Sequence, residues 1–213
     1  MSRILIIGGH GKVARLLTPL LVAHGDEVSA VIRNADHTAD VEHDGAVAVV
    51  ADVAQLDRDE WLSLLSGHDA VVWSAGAGGG DAERTYATDR DAAIRSMDAA
   101  EVARVQRYVM VSYFGAGPDH GVPADNAFYA YAEAKAAADE HLRATALDWT
   151  ILGPSGLTLD PPTGRIDIDG ASRTVARADV AAVIAAALGE PSTVGRTIEF
   201  NAGDTPIAEA LRG

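Results

Sequence analysis

Cysteine is absent from the 213-residue sequence, which excludes disulfides, thiol nucleophiles, iron–sulfur clusters and cysteine-ligated zinc. Positive charge is scarce, because 17 Lys and Arg stand against 31 Asp and Glu, a formal net charge of −14. A chain this acidic repels phosphate backbones and anionic lipid surfaces, so neither nucleic acid nor a membrane is an expected partner. Long apolar runs are missing too, and no stretch of the sequence predicts a transmembrane helix.

The remaining composition is typical of a globular domain. Hydrophobic residues make up 48% and charged residues 23%, which is enough apolar surface to bury one core. The apolar run before Gly8 and Gly9 is too short for a secretory signal. We therefore expect one cytoplasmic domain spanning residues 1–213, present as a monomer or a homodimer, with a small molecule as its substrate.

Short β-branched runs alternate with longer Ala- and Leu-rich segments of helical periodicity. This alternation predicts an α/β fold, a Rossmann-type doubly wound parallel sheet with helices on both faces. The predicted strands are Arg3–Ile7, Glu27–Ile32, Ala46–Val50, Ala70–Ser74, Tyr108–Ser112, Trp149–Leu152 and Thr197–Phe200. The predicted helices are Val13–His24, Trp61–Leu65, Asp89–Glu101, Phe128–Ala146 and Asp179–Leu188. Small substrate loops are expected at about 114–127 and 155–176, after the fifth and sixth strands, where such sheets bind ligands.

A glycine-rich turn joins the first strand to the first helix in the sequence Gly8-Gly9-His10-Gly11-Lys12-Val13-Ala14. Two registers fit: Gly9-x-Gly11-x-x-Ala14 is the general dinucleotide fingerprint, and Gly8-x-x-Gly11-x-x-Ala14 has the spacing used by short-chain dehydrogenase/reductases. Glycine permits the tight turn and the close approach of a pyrophosphate, which would lie at the helix N-terminus. The turn is therefore predicted to bind a dinucleotide, the alternative being a tight turn without a ligand.

The end of the second strand distinguishes between the two nicotinamide dinucleotides. An NAD site places Asp or Glu there, whereas this sequence has Arg33. A guanidinium can bind a 2′-phosphate with two hydrogen bonds and stack on adenine, and Lys12 could add a second positive charge. NADP(H) is therefore the preferred cofactor and NAD(H) a possible one, unless Arg33 is only a solvated surface residue.

Two further segments are expected to contact the cofactor. Asp52 and Val53 follow the third strand, where a carboxylate could accept from the adenine amine, although Asp52 could equally cap the next helix. Ser74-Ala75-Gly76 follows the fourth strand, where small residues would let the backbone approach the nicotinamide ribose. The alternative for that segment, with Gly78–Gly80, is a flexible loop.

Three polar residues form a candidate catalytic set. Ser112 ends the fifth strand, and Tyr131 and Lys135 follow with the i, i+4 spacing that places them on one helix face. A phenol beside an ammonium is expected to have a lowered pKa, and Ser112 could bind the same substrate oxygen. The three residues are predicted to form a proton relay beside a hydride carrier, with Tyr131 and Lys135 also in contact with the cofactor.

The chain resembles the atypical short-chain dehydrogenase/reductases, of the NAD(P)-binding, NmrA-like and epimerase-like kind, over nearly its whole length. The matching segments are Ile6–Ala14, Val31–Asn34, Val111–Ser112, Tyr131-x-x-x-Lys135, Asp148–Pro154 and Ala178–Ala181. The resemblance implies a Rossmann fold, bound NAD(P) with Pro154 among its contacts, and catalytic Ser, Tyr and Lys. Gly153 departs from the family's usual Arg before this proline, and the long C-terminal half of sugar-nucleotide epimerases is missing.

These observations favour an NADP(H)-dependent oxidoreductase acting on a small carbonyl or alcohol, with flavins and quinones included. An NAD(P)-dependent epimerase or dehydratase and a non-catalytic NADP(H)-sensing regulator are the alternatives. No metal site is expected, because His37, Asp40, His43 and Asp44 are interpreted as an acidic surface loop. Residues 139–141, Asp-Glu-His, are interpreted as a solvated helix face.

Overall fold

Apolar, β-branched segments form the strands in this computed structural model, which describes residues 1–77, 81–168 and 170–213. In chain order, strands β1 to β6 are Arg3–Ile7, Glu27–Ile32, Val47–Val50, Ala70–Trp73, Arg107–Val111 and Asp148–Pro154. Strands β7 to β11 are Gly156–Thr158, Arg165–Ile168, Thr174–Ala176, Arg196–Ala202 and Thr205–Pro206.

Within the described residues, nine strands form the main sheet in the order β11-β8-β10-β6-β5-β4-β1-β2-β3. Seven of them, from β10 to β3 in that order, run parallel. Strand β8 pairs antiparallel with β10 and with β11, while β7 and β9 form a separate two-stranded sheet. The chain moves outward from β1 in both directions, so the doubly wound Rossmann order is confirmed, with its crevice at the carboxyl ends of β1 and β4.

Helices cover both faces of this sheet. The α-helices α1 to α8 are Lys12–His24, Thr38–His43, Arg58–Leu65, Ala82–Thr85, Ala93–Ala103, Tyr129–Ala144, Arg177–Gly189 and Ile207–Ala210. A π-helix, Tyr86–Ala92, joins α4 to α5, and 3-10 turns occur at Ala35–His37 and Pro191–Thr193.

Alternation along β1 shows why the core has two halves. Ile4 and Ile6 pack with α1 and α7, while Leu5 and Ile7 pack with α3, α5 and α6. A strand with apolar side chains on both faces must be covered on both faces. A central strand of a parallel sheet meets this condition, because helices pack on either side of it. Among the described residues, no helix has the length and apolarity needed to cross a bilayer.

Two segments differ from their sequence-based predictions. Residues 155–176, predicted as a loop, contain β7, β8 and β9, of which β8 extends the main sheet through the alternating sequence Arg-Ile-Asp-Ile. The acidic segment after β2, also predicted as a loop, is a 3-10 turn followed by α2. Asn34 starts it, since its side chain accepts from the Asp36 N–H at 3.1 Å.

Candidate active site

Strand β1 ends in a tight turn that brings Gly8 against the end of β4. Gly8 has a φ of +88°, and a Cβ atom there would lie 2.6 Å from the Cα of Ala75. Gly11 closes the turn by donating its N–H to the Gly8 carbonyl at 2.9 Å. Gly9 faces the neighbouring strand instead, because its Cβ would lie 2.6 Å from that of Ala30. Gly8 and Gly9 are therefore each required by a close contact, and neither could carry a side chain without a local shift.

Helix α1 begins at this turn without a side-chain cap. Gly11 is the N-cap residue, no side-chain hydrogen bond caps the first turn, and that turn holds no acidic residue. Uncapped N–H groups and the positive end of the helix dipole favour an anion such as a pyrophosphate. The turn therefore fits the phosphates of a dinucleotide, which Gly8, Gly11 and the first turn of α1 would hold.

Gly8→Ala tests this reading of the turn. A left-handed φ costs a residue with a Cβ about 1–2 kcal/mol, and the contact with the Ala75 backbone adds about 1–3 kcal/mol of overpacking. We expect chemical denaturation to show a free energy of unfolding that is lower by the sum of these two costs. Calorimetry should show that dinucleotide binding is lost. Gly25→Ala is the matched control, since Gly25 also has a positive φ, +95°, but open space around its Cβ position. Equal losses in the two variants would contradict the role of the close contact.

A cleft of ≈290 Å³ opens beside the turn, at the carboxyl ends of the central strands. Of the predicted cofactor contacts, those lining it are Gly8, His10, Gly11, Arg33, Asp52, Val53, Ser74, Ala75 and Gly76. The predicted contacts that do not line it are Gly9, Lys12, Val13, Tyr131, Lys135 and Pro154. His37, Arg84 and Thr88 also line the cleft, although no sequence motif marks them.

Positive side chains gather at one end of this cleft. Arg33 is exposed there, and an adjoining cavity is lined by Arg33, Asp52 and Arg84 together. Neither arginine forms a salt bridge within the described residues. Asp52 is not the cap of the next helix: it accepts from the Ala54 N–H, and Asp57 caps α3. This end of the cleft therefore offers two guanidinium groups and one carboxylate as hydrogen-bonding groups to a dinucleotide.

Two histidines stack across the mouth of the same cleft. The rings of His10 and His37 lie 3.6 Å apart between centroids with an interplanar angle of 13°. Oδ2 of Asp40, on α2, lies 2.8 Å from Nε2 of His10 and forms an ion pair with Arg15 at 3.4 Å. The hydrogen bond from His10 and the charge of Arg15 hold the pKa of Asp40 below its usual value.

A buried polar cluster lies at the carboxyl end of β5, next to the nicotinamide end expected of such a cleft. Ser112 is buried, and its Oγ lies 2.5 Å from Oδ2 of Asp139. Asp139 itself is 0% exposed, so the prediction of a solvated face is wrong for this residue. Its neighbours Glu140 and His141 do reach the surface side of α6.

Lys135 lies at the centre of the cluster. Its Nζ donates to the Val111 carbonyl at 2.8 Å and lies 3.9 Å from Oδ1 of Asp89. Asp89 belongs to the π-helix, and its Oδ2 accepts from the Ala77 N–H at 2.8 Å. Since Ala77 also lines the cleft, this hydrogen bond connects the cluster to the cofactor-binding side.

The charges of the cluster are unbalanced, with two buried carboxyls beside one buried ammonium. Burial raises the pKa of Asp89 and of Asp139, and the attraction of Lys135 opposes the shift in both. Burial also lowers the pKa of Lys135, against the attraction of the two carboxylates. Burial therefore disfavours the charged form of all three groups, and their mutual attraction opposes that effect in each.

Tyr131 lies on the same face of α6, one turn before Lys135. Its ring is packed against Phe128 at 5.1 Å and Tyr113 at 5.7 Å between centroids, and Nζ of Lys135 lies 5.9 Å from its centre. Burial, followed by the nearby Asp89 and Asp139 carboxylates, raises the pKa of Tyr131. The predicted lowering of this pKa by Lys135 is therefore wrong, because burial disfavours the phenolate and the two nearby carboxylates disfavour it further.

Gly153, the departure from the family pattern, has a packing reason. A Cβ atom there would lie 3.1 Å from Cγ of Glu199 and 3.1 Å from the Tyr113 carbonyl oxygen. Glu199, its partner on β10, accepts from the Gly115 N–H at 2.7 Å and so occupies the space of a longer side chain. Pro154 follows on the same strand, buried, with its carbonyl accepting from the Phe114 N–H.

The doubly wound sheet, the glycine turn and the cleft define a Rossmann domain of the NAD(P)-binding class. The profile of the NAD(P)H-binding family matches residues 8–191. The chain belongs to that family, and its resemblance to the atypical short-chain dehydrogenase/reductases is confirmed.

Other proteins are similar to this chain over nearly its whole length. A Bacillus subtilis protein described as an uncharacterized sugar epimerase, YhfK, is 33% identical over 214 residues, with 99% of each chain covered. The structure of the oxidoreductase ylbE from Lactococcus lactis is 32% identical with a TM-score of 0.87, covering 98% of this chain and 94% of that one. ChuY, an anaerobillin reductase from Escherichia coli O157:H7, is 25% identical with a TM-score of 0.78, covering 95% and 98%.

Proposed function

We propose that the protein is an NADP(H)-dependent reductase of a small carbonyl compound. The observation that carries the proposal is the continuity between cleft and cluster: the segment from Ser74 to Ala77 lines the cleft, and Ala77 donates to Asp89 of the cluster. A dinucleotide held by the glycine turn at one end would thereby reach the buried polar residues at the other. Two relatives, ylbE and ChuY, are named as an oxidoreductase and a reductase, which favours the same class of reaction.

The chain's own residues would each have a separate task. When bound, the reduced nicotinamide supplies a hydride. Tyr131 would give a proton to the substrate oxygen, and its raised pKa keeps that proton in place at neutral pH, which suits carbonyl reduction better than alcohol oxidation. Lys135 would orient the ribose and hold the carboxylates of the cluster, while Ser112 would bind the substrate oxygen.

The size of the site favours a small ligand. The aromatic rings of Tyr113, Phe128 and Tyr131 lie within 5.1–5.7 Å of one another between centroids. His120 connects the loop before α6 to that helix, since its Nε2 lies 2.8 Å from Oε1 of Glu133. An apolar or aromatic carbonyl compound would pack against these rings with its oxygen toward Tyr131.

Arg33→Ala tests the cofactor assignment. Loss of a charge-assisted, two-pronged contact with the 2′-phosphate costs about 1.5–3 kcal/mol, so the Kd for NADPH should rise about 10- to 100-fold. The Kd for NADH should change little, and calorimetry on both cofactors measures the difference. Arg58→Ala, the same charge change on an exposed residue outside the cleft, is the control. Tighter binding of NADH than NADPH by the wild type would contradict the assignment.

An NAD(P)-dependent epimerase is the second candidate, and the sugar epimerase name of the B. subtilis relative favours it. Such an enzyme regenerates its cofactor in each cycle and has no need to release it. Cofactor that stays bound through purification and gel filtration would favour the epimerase, while free exchange with added NADPH would favour the reductase.

A further inference from the structure

The hydrogen bond between Ser112 and Asp139 can run in either direction. An ionised carboxylate only accepts, so Ser112 must then donate its one proton to Asp139 and offer lone pairs to the site. A protonated carboxyl can donate to Ser112 instead, which frees the serine O–H for another acceptor. Because both side chains are buried and 2.5 Å apart, the direction depends on the carboxyl and not on solvent.

Asp139 is better suited than Asp89 to hold a proton. Asp89 lies 3.9 Å from the Lys135 ammonium and accepts from a backbone N–H, two contacts that favour a carboxylate. Asp139 has no such backbone donor among the described residues, where the Oδ1 atoms of both carboxyls are buried without a hydrogen-bond partner. Lys135 can neutralise only one of the two carboxylates, and Asp89 is the nearer.

Charged and titratable groups face Asp139 from several elements. Burial raises the pKa of Asp139, while the Ser112 hydrogen bond and the charges of Lys135 and Arg143 lower it by less. The groups concerned are Ser112 and Tyr113 after β5, Tyr131, Lys135 and Arg143 on α6, and Asp89 across Lys135.

We propose that Asp139 is a positioning residue that sets the hydrogen-bond polarity of Ser112, an inference that rests on the proposed carbonyl reduction. With Asp139 protonated, Ser112 donates to a carbonyl oxygen and polarises it for reduction. With Asp139 ionised, Ser112 accepts from a hydroxyl and matches the alcohol. The protonation state of one buried carboxyl thus selects which of the two substrates the site binds.

The pH profile of reduction tests the effect on the reaction. The comparison uses wild type, Asp139→Asn and the adjacent exposed control Glu140→Gln, with NADPH and 4-nitrobenzaldehyde as the carbonyl probe. In wild type and E140Q, the rate should fall about tenfold per pH unit above the pKa of Asp139. In D139N the profile should be flat, because the amide does not titrate, and Asp139→Glu should restore the slope. A D139N profile parallel to wild type would overturn the proposal.

An infrared titration without cofactor tests the coupling independently of activity. Wild type should show a neutral-carboxyl band above the pH at which ordinary carboxyls ionise, and D139N should lose it. Ser112→Ala should shift the pH at which the band disappears, because Ser112 is hydrogen-bonded to Asp139 in both protonation states of the carboxyl. A band absent from wild type, or unmoved in S112A, would overturn the coupling. A wild type that shows the band but reduces no carbonyl would instead contradict the proposed function and leave the coupling standing.

Discussion

Tyr131→Phe should lower kcat for carbonyl reduction by about 10²- to 10⁴-fold, the usual contribution of a positioned proton donor. The change removes one hydroxyl and keeps the ring that packs against Phe128 and Tyr113. The Kd for NADPH should therefore stay within about twofold, since the glycine turn and Arg33 are untouched. Steady-state kinetics and calorimetry on the same preparation separate the two effects.

Tyr129→Phe is the matched control for this variant. Tyr129 lies half a turn earlier on α6 and stacks edge-on against His120, with centroids 5.7 Å apart, and Glu133 follows it four residues later instead of a lysine. Its kcat should stay close to that of wild type. Retention of more than about a tenth of the wild-type kcat in Y131F would be too small an effect for general acid catalysis and would assign the proton to another group.

Lys135→Met should produce the largest loss of stability of any change in the cluster. It leaves two buried carboxyls without a counter-ion, and breaking a buried pair in this way costs about 3–5 kcal/mol. The loss should appear in urea denaturation at neutral pH. Lys12→Met, at the other lysine of the sequence, is exposed and should change the free energy of unfolding by less than about 0.5 kcal/mol.

The loss in Lys135→Met should depend on pH. Folding raises the pKa of Asp89 and Asp139, so between their unfolded and folded pKa values the folded state holds protons that the unfolded chain has released. Stability therefore falls as pH rises through that window, and it falls further in the variant, where no ammonium opposes the shift. The loss of stability in Lys135→Met should become smaller toward about pH 4. Adding Asp89→Asn to the variant should recover part of the lost stability. A deficit independent of pH and of D89N would indicate lost packing instead.

Much of the fold could be predicted from strong local sequence patterns. Arg3–Ile7 is predicted and observed with the same bounds, because a continuous apolar run before a double glycine leaves few alternatives. The four-residue spacing of Tyr131 and Lys135 correctly placed both on α6. Strands of three or four residues, such as β7 and β9, are too short for their periodicity to stand out, and their pairing depends on contacts distant in sequence.

The burial of the two carboxyls of the cluster was not predicted from the sequence. Asp139 continues the spacing of Tyr131 and Lys135 by another four residues, a signal that the neighbouring Glu140 and His141 obscured by suggesting a solvated face. Asp89 had no usable signal, because the wider turn of a π-helix changes which side chains point inward. Burial of the phenol, together with the same two carboxyls, raises the pKa of Tyr131, which the tyrosine–lysine spacing alone predicts to be lowered.

A crystal structure with NADPH bound would test most directly whether the cleft binds this cofactor with its nicotinamide at the buried polar cluster. We expect the 2′-phosphate on Arg33, the pyrophosphate at the turn between Gly8 and Gly11, and the nicotinamide C4 facing Tyr131. A nicotinamide directed away from Tyr131, or a 2′-phosphate without contact to Arg33, would contradict this expectation.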